Sequence, residues 1–160
     1  MKKILIVVLV LASLILCSCA GDVMPKPSAN KISLAFVSCS DAESYKSSWG
    51  NTVYPAEGNQ FKKLEINLTN GYNESVYYSC SDSMISHFDI VLANGHKYSD
   101  ESSNGSWTIM PESTTKVTIY FEIKNDENCN GAKLTYSFLD PDNGLYTLKT
   151  TINLGNVDPQ

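Results

Sequence analysis

From Lys63 to Asn70 the chain alternates. Leu64, Ile66 and Leu68 are apolar, while Lys63, Glu65, Asn67 and Thr69 between them are polar. That two-residue period predicts a strand with one face buried, and the Tyr54–Gly58 turn opens it. The same pattern recurs along the chain. Lys31 to Ser38 places Ile32, Leu34 and Phe36 on one side, and Ser86 to Ala93 does so with Phe88, Ile90 and Leu92. Thr114 to Lys124 carries Val117, Ile119, Phe121 and Ile123; Lys133 to Phe138 carries Leu134, Tyr136 and Phe138. Tyr146 to Leu154 is the last strand, and Ser75 to Cys80 is a short aromatic one. Asn70-Gly71 and Asp140 to Gly144 read as turns, Cys39 to Asn51 and Asp100 to Ser106 as polar loops, and Asn94-Gly95 as a type I′ hairpin turn onto Tyr98.

No stretch has sustained helical spacing and no repeat is present. Seven or eight short antiparallel strands between turn signals, over residues 31–157, predict an all-β, immunoglobulin-like sandwich. The order of motifs adds a resemblance. A Tyr-Pro-x-x-Gly-x-x-Phe run (Tyr54 to Phe61) leads into the strand ending at Asn70. Phe-x-Ile-x-Leu-x-Asn-Gly-x-x-Tyr (Phe88 to Tyr98), a Pro before the Val117 strand and Leu-x-Tyr-x-Phe (Leu134 to Phe138) follow. This resembles the telokin-like, immunoglobulin-fold domain of unknown function found in bacterial and archaeal lipoproteins and secreted proteins. The resemblance implies a sandwich fold and an exported location, and brings no catalytic residues. Two features depart from it: Pro111-Glu112 stands where the family often has Pro-Gly, and the cysteines after the leader are not part of its pattern.

The N-terminus is organised differently. Lys2 and Lys3 precede an apolar run from Ile4 to Leu16, too short for a comfortable membrane span and shaped like a secretory signal peptide. It ends in Leu16-Cys17-Ser18-Cys19, which resembles the bacterial lipobox. Residues 1–18 are expected to be removed and Cys19 to carry the lipid, because its thiol can form the thioether and small Ser18 suits the cleavage site. Residues 19–30, with Pro25 and Pro27, are then an extended tether. The competing reading is an ordinary cleaved signal or an uncleaved anchor helix.

Charge narrows the partners. Without Lys2 and Lys3 the remainder has ten lysines against 17 acidic residues, and no arginine. A chain of that sign without guanidinium groups is not expected to bind nucleic acid, nor to be drawn to anionic lipid by charge.

Candidate chemistry is sparse. With Cys19 taken by the lipid, Cys39, Cys80 and Cys129 remain, an odd number, with strand ends that should cluster at one pole. Cys80–Cys129 is the favoured bridge and Cys39–Cys129 the alternative. A reactive thiol would need His87 or His96, which no motif places beside it. Asp140-x-Asp142-x-Gly144 and Asp126-Glu127-Asn128 offer oxygens, but neither matches a calcium loop, and solvated turns explain them better. No Gly-x-Ser-x-Gly elbow exists, and no enzymatic activity, cofactor or metal is expected. Aromatics in or near turns, chiefly Tyr45, Trp49, Tyr72 and Trp107, are the candidate binding surface, the alternative being that they cap the sandwich ends. Asn67, Asn73 and Asn104 head glycosylation sequons. The expectation is a non-catalytic module held to a membrane by lipid, binding an extracellular protein or glycan. An accessory envelope protein pairing through an edge strand is the alternative.

Overall fold

The computed structural model describes residues 28–78, 86–101 and 107–157. Apolar alternation sets the two main layers. In the first, β4 (Asn59–Asn70) lies between β1 (Ile32–Ala42) and β9 (Ser113–Lys124). In the second, β10 (Lys133–Leu139) lies between β11 (Thr147–Asn153) and β6 (Ser86–Val91), which pairs in turn with β7 (Lys97–Ser99). All these pairings are antiparallel. Two short ribbons complete the described elements: β2 (Tyr45–Lys46) with β3 (Thr52–Val53), and β5 (Val76–Tyr78) with β8 (Trp107–Ile109). The seven strands of the main sheets follow the order of an immunoglobulin-type sandwich, as the sequence leads one to expect.

The rows predicted to face inward do so. Leu64, Ile66 and Leu68 are fully buried, as are Phe88, Ile90, Leu134, Tyr136 and Phe138 opposite them. Phe88 and Tyr136 stack at 4.5 Å between centroids, and Tyr136 and Phe138 at 5.3 Å, forming an aromatic spine across β6 and β10. The sandwich has two ends. At one, Asn70 pairs with Ile32 and Ser113. There Tyr72 packs its ring edge-on to Phe138 and donates its hydroxyl to Ala29 O. At the other, Asn59 pairs with Lys124, and Asn125 N–H reaches Gly58 O.

Three local expectations are corrected. β1 does not stop at Ser38 but continues to Ala42, taking a bulge at Val37 to keep pairing with β4. Cys39 therefore sits inside a strand, opposite Leu64, and not at a strand end. The 39–51 stretch is not one loop, since it contains half of the β2–β3 hairpin.

The Asn94-Gly95 turn is not type I′, because that turn needs positive φ at both residues and only Gly95 has it, at 89°. Gly95 N–H bonds to Leu92 O and Leu92 N–H to His96 O, so the turn is Leu92–Gly95 followed by a glycine bulge.

Glu112 alone among the described non-glycine residues has positive φ, at 51°, directly after Pro111. It occupies the third position of a turn that glycine fills best. Glu112→Gly is expected to stabilise the protein by about 0.5–1 kcal/mol, relief of a left-handed Cβ clash outweighing the extra chain entropy. A higher urea midpoint at unchanged slope checks this; a lower midpoint refutes it.

Candidate functional site

The β2–β3 hairpin folds over the outer face of the three-stranded sheet at its Asn59/Lys124 end. Tyr45 fixes it there, packing edge-on to Phe61 at 5.0 Å and against Tyr120 at 5.3 Å. Its hydroxyl donates to Glu101 O at 3.2 Å. Above this base the turn is closed by Ser47 N–H to Asn51 O and Gly50 N–H to Ser47 O, with Gly50 at φ 80°. The result carries Trp49 at the tip with 89% of its surface exposed, and Tyr54, just past β3, at 70%. Burial predicts neither exposure. A tryptophan gains nothing from water, and this one stands beyond a base pinned by Tyr45.

The other predicted aromatics do not join it, and the expectation of one surface patch is corrected. Tyr45 and Tyr72 are core residues, one locking the hairpin and the other plugging the opposite end of the sandwich. Trp107 is half-buried and stacked on Tyr78 at 4.0 Å, beside a shallow groove of about 200 Å³ lined by Thr115 to Thr118. Sequence position marks turns well, but a tyrosine beside a turn is buried whenever the facing sheet lies over it.

Glu127, expected from the sequence to be a solvated turn residue, is instead the centre of a polar cluster at the same end as the hairpin. Its carboxylate, 6% exposed, accepts Tyr98 O–H and His96 Nδ1–H, and Asn94 Nδ2 at 2.8 Å. Gln60 donates to its carbonyl at 2.9 Å, so one residue ties the 125–130 loop to both sheets. A cleft of about 150 Å³ lies alongside, lined by Leu92 to Asn94 and Asp126 to Asn128. The Tyr98 hydroxyl above all, with Asn94 and His96, draws the Glu127 carboxyl down to about 2. A depressed carboxylate contributes stability that is whole above its unfolded value and is lost as it protonates in the fold. Unfolding free energy is therefore expected to fall between about pH 5 and pH 2. Glu127→Gln should flatten that slope in a pH series of urea melts. An unchanged slope would show that the cluster is not linked to folding.

The remaining expectations divide. Asp140, buried, spends its carboxylate on Ser28 (N–H at 2.7 Å and the Oγ hydroxyl at 2.5 Å) and on Asp142 N–H at 3.1 Å. Burial pushes it up, but these bonds outweigh that and hold it below the usual range. Its role is to fasten the chain entering the domain. Among the described residues no three His, Cys, Asp or Glu side chains converge on a metal position. Cys39 and Cys129 are buried, whereas Cys19 and Cys80 lie outside the described residues.

On the outer face of the four-stranded sheet His87 Nε2 lies 3.4 Å from Asp89, which also pairs with Lys97 at 2.9 Å. Ser137 is the cross-strand neighbour of His87, but its hydroxyl is buried and bonded to no described group, so it forms no nucleophile–base pair.

No family model matches the chain, and no curated protein matches it. Solved structures do. The yjhA protein from Bacillus subtilis superposes with a TM-score of 0.53 at 12% identity, over 79% of this chain and 93% of that one. An uncharacterized β-sandwich protein from Clostridium difficile 630 gives 0.44 at 14% identity, over 81% and 89%. The candidate lipoprotein ycdA of Bacillus subtilis subsp. subtilis str. 168 gives 0.46 at 14%, over 80% of this chain and 38% of that one. At such identity the likeness is one of fold: an antiparallel β-sandwich.

Proposed function

We propose that this protein is a lipid-anchored, non-catalytic binding module of the cell envelope, of the telokin-like immunoglobulin class, and that the Trp49 hairpin is its contact surface. Exposure of Trp49 on a hairpin pinned at its base by Tyr45 carries the reading, because large exposed aromatics give contact area at low entropic cost. The class is supported by the structural jobs of the motif residues. Phe61 is the floor under Tyr45, and Asn70 ends β4 by bonding to the turns around it. The anchor is supported by Leu16-Cys17-Ser18-Cys19 behind the apolar leader. The partner is an extracellular protein or glycan. The alternative is pairing through an edge strand: the bulge at Val37 interrupts β1, whereas β9 at the other edge of that sheet pairs with β4 without a break.

Trp49→Ala with Tyr54→Ala is expected to leave the melting temperature unchanged, since both side chains stand in water. Retention on envelope material from the host should fall about tenfold or more if the pair is a hot spot. Equal retention of variant and parent would remove the hairpin from the binding surface.

A further inference from the structure

The chain enters the sandwich at a fixed point. Ser28 is held to Asp140 by two hydrogen bonds, Asn30 donates to Lys149 O, and Tyr72 donates to Ala29 O. All of these lie at the Asn70/Asp140 end. Two large apolar side chains stand in solvent at that same end: Met110, 60% exposed before the Pro111 turn, and Leu145, 69% exposed in the loop after Asp140. Trp49 belongs to the other end, above Phe61.

We infer that the Asn70/Asp140 end is a membrane-contact surface, seated on the lipid bilayer through Met110 and Leu145, with the Trp49 hairpin held away from it. This rests on the proposed anchor at Cys19, and the lengths decide the orientation. Nine residue steps separate Cys19 from Ser28, a reach of about 30 Å at full extension. β4 alone, from Asn59 to Asn70, is about 36 Å long. With the hairpin end down and β4 upright, Ser28 would stand about 36 Å from the bilayer, beyond the reach of the tether.

Charge does not drive the seated pose. Lys31 and Lys149 are exposed at this end beside Glu74, Glu112 and Asp142, so apolar insertion and not attraction to anionic headgroups is the contact. The lipid surface is therefore the occupant of this patch, and the envelope partner meets the far end.

The test uses the full chain, processed in a lipoprotein-processing bacterium and reconstituted into phosphatidylethanolamine–phosphatidylglycerol vesicles with brominated acyl chains. Two single-tryptophan proteins carry Trp107→Phe. One keeps Trp49; the other has Trp49→Phe and Leu145→Trp. Both should float with the vesicles. The Leu145→Trp emission should drop roughly twofold or more, as for a side chain buried ~5–10 Å into the headgroup boundary, and Trp49 should be unaffected. Failure to float would sink the anchor, and the seating with it. Flotation without quenching of Leu145→Trp, or with stronger quenching of Trp49, would overturn the seating while leaving the anchor intact. Crosslinks between copies through Met110 and Leu145 would also overturn it, assigning the patch to self-association.

Discussion

Phe88→Ala should cost about 3–5 kcal/mol, enough to unfold much of a domain whose whole stability lies in the ~5–15 kcal/mol range. Phe88 is fully buried, stacks on Tyr136 at 4.5 Å and touches Tyr78 and Trp107 at 5.9 and 6.5 Å. Truncation leaves a cavity bounded by three other rings, which cannot collapse without breaking their own stacking. The backbone is not at fault in this variant. Phe88 N–H still reaches Asp100 Oδ1 and Phe88 O still accepts Asp100 N–H. Phe88→Leu, which keeps most of the volume, should cost far less. Urea melts of the two variants measure the difference, and equal midpoints would mean that the spine is not what holds the sheets together.

Asn70→Ala should come second, at about 3 kcal/mol, because buried backbone groups lose their partner together. Asn70 Nδ2 donates to Glu74 O at 2.8 Å, Ile109 O at 3.1 Å and Met110 O at 3.2 Å. Its Oδ1 accepts Tyr72 N–H at 2.9 Å. Asn70→Asp separates hydrogen bonding from shape. It keeps the acceptor but aims a carboxylate at three carbonyl oxygens. That group is raised above its unfolded value of about 3.9, so the loss should deepen as pH rises through that value and ease in acid. A pH-independent deficit for Asn70→Asp would show that the lost donor, not the charge, is the cause.

The strand pattern was legible because alternation is a local property. Leu64, Ile66 and Leu68 declare their face without reference to any other strand. Asp140 to Gly144 declared a turn for the same reason. What depended on a distant partner was not legible. Tyr72 stands in a turn by sequence and is covered only because Phe138 arrives from the other sheet. Glu127 looks like a solvated turn residue until Gln60, Asn94, His96 and Tyr98 are brought around it. The Asn94-Gly95 pair misled on turn type, since the chemistry that tolerates positive φ also serves where glycine alone adopts it. Of the candidate surface, Trp49 was legible as a residue; that Tyr45 would be its pedestal was not.

The antiparallel ladder between β4 and β9 bears on how the chain acquires its fold. Its nearest partners, Asn70 and Ser113, are separated by all of β5 to β8, and its farthest are Asn59 and Lys124. Among the described residues there is no helix, and little local pairing is available to nucleate the first sheet earlier. High contact order of this kind places folding in the millisecond-to-second range. A chain emerging N-terminus first cannot complete its first sheet before Lys124 has appeared. Even then the inner row from Leu64 to Leu68 stays uncovered until β10 brings Leu134, Tyr136 and Phe138 opposite it, an opening for chaperones and for aggregation alike.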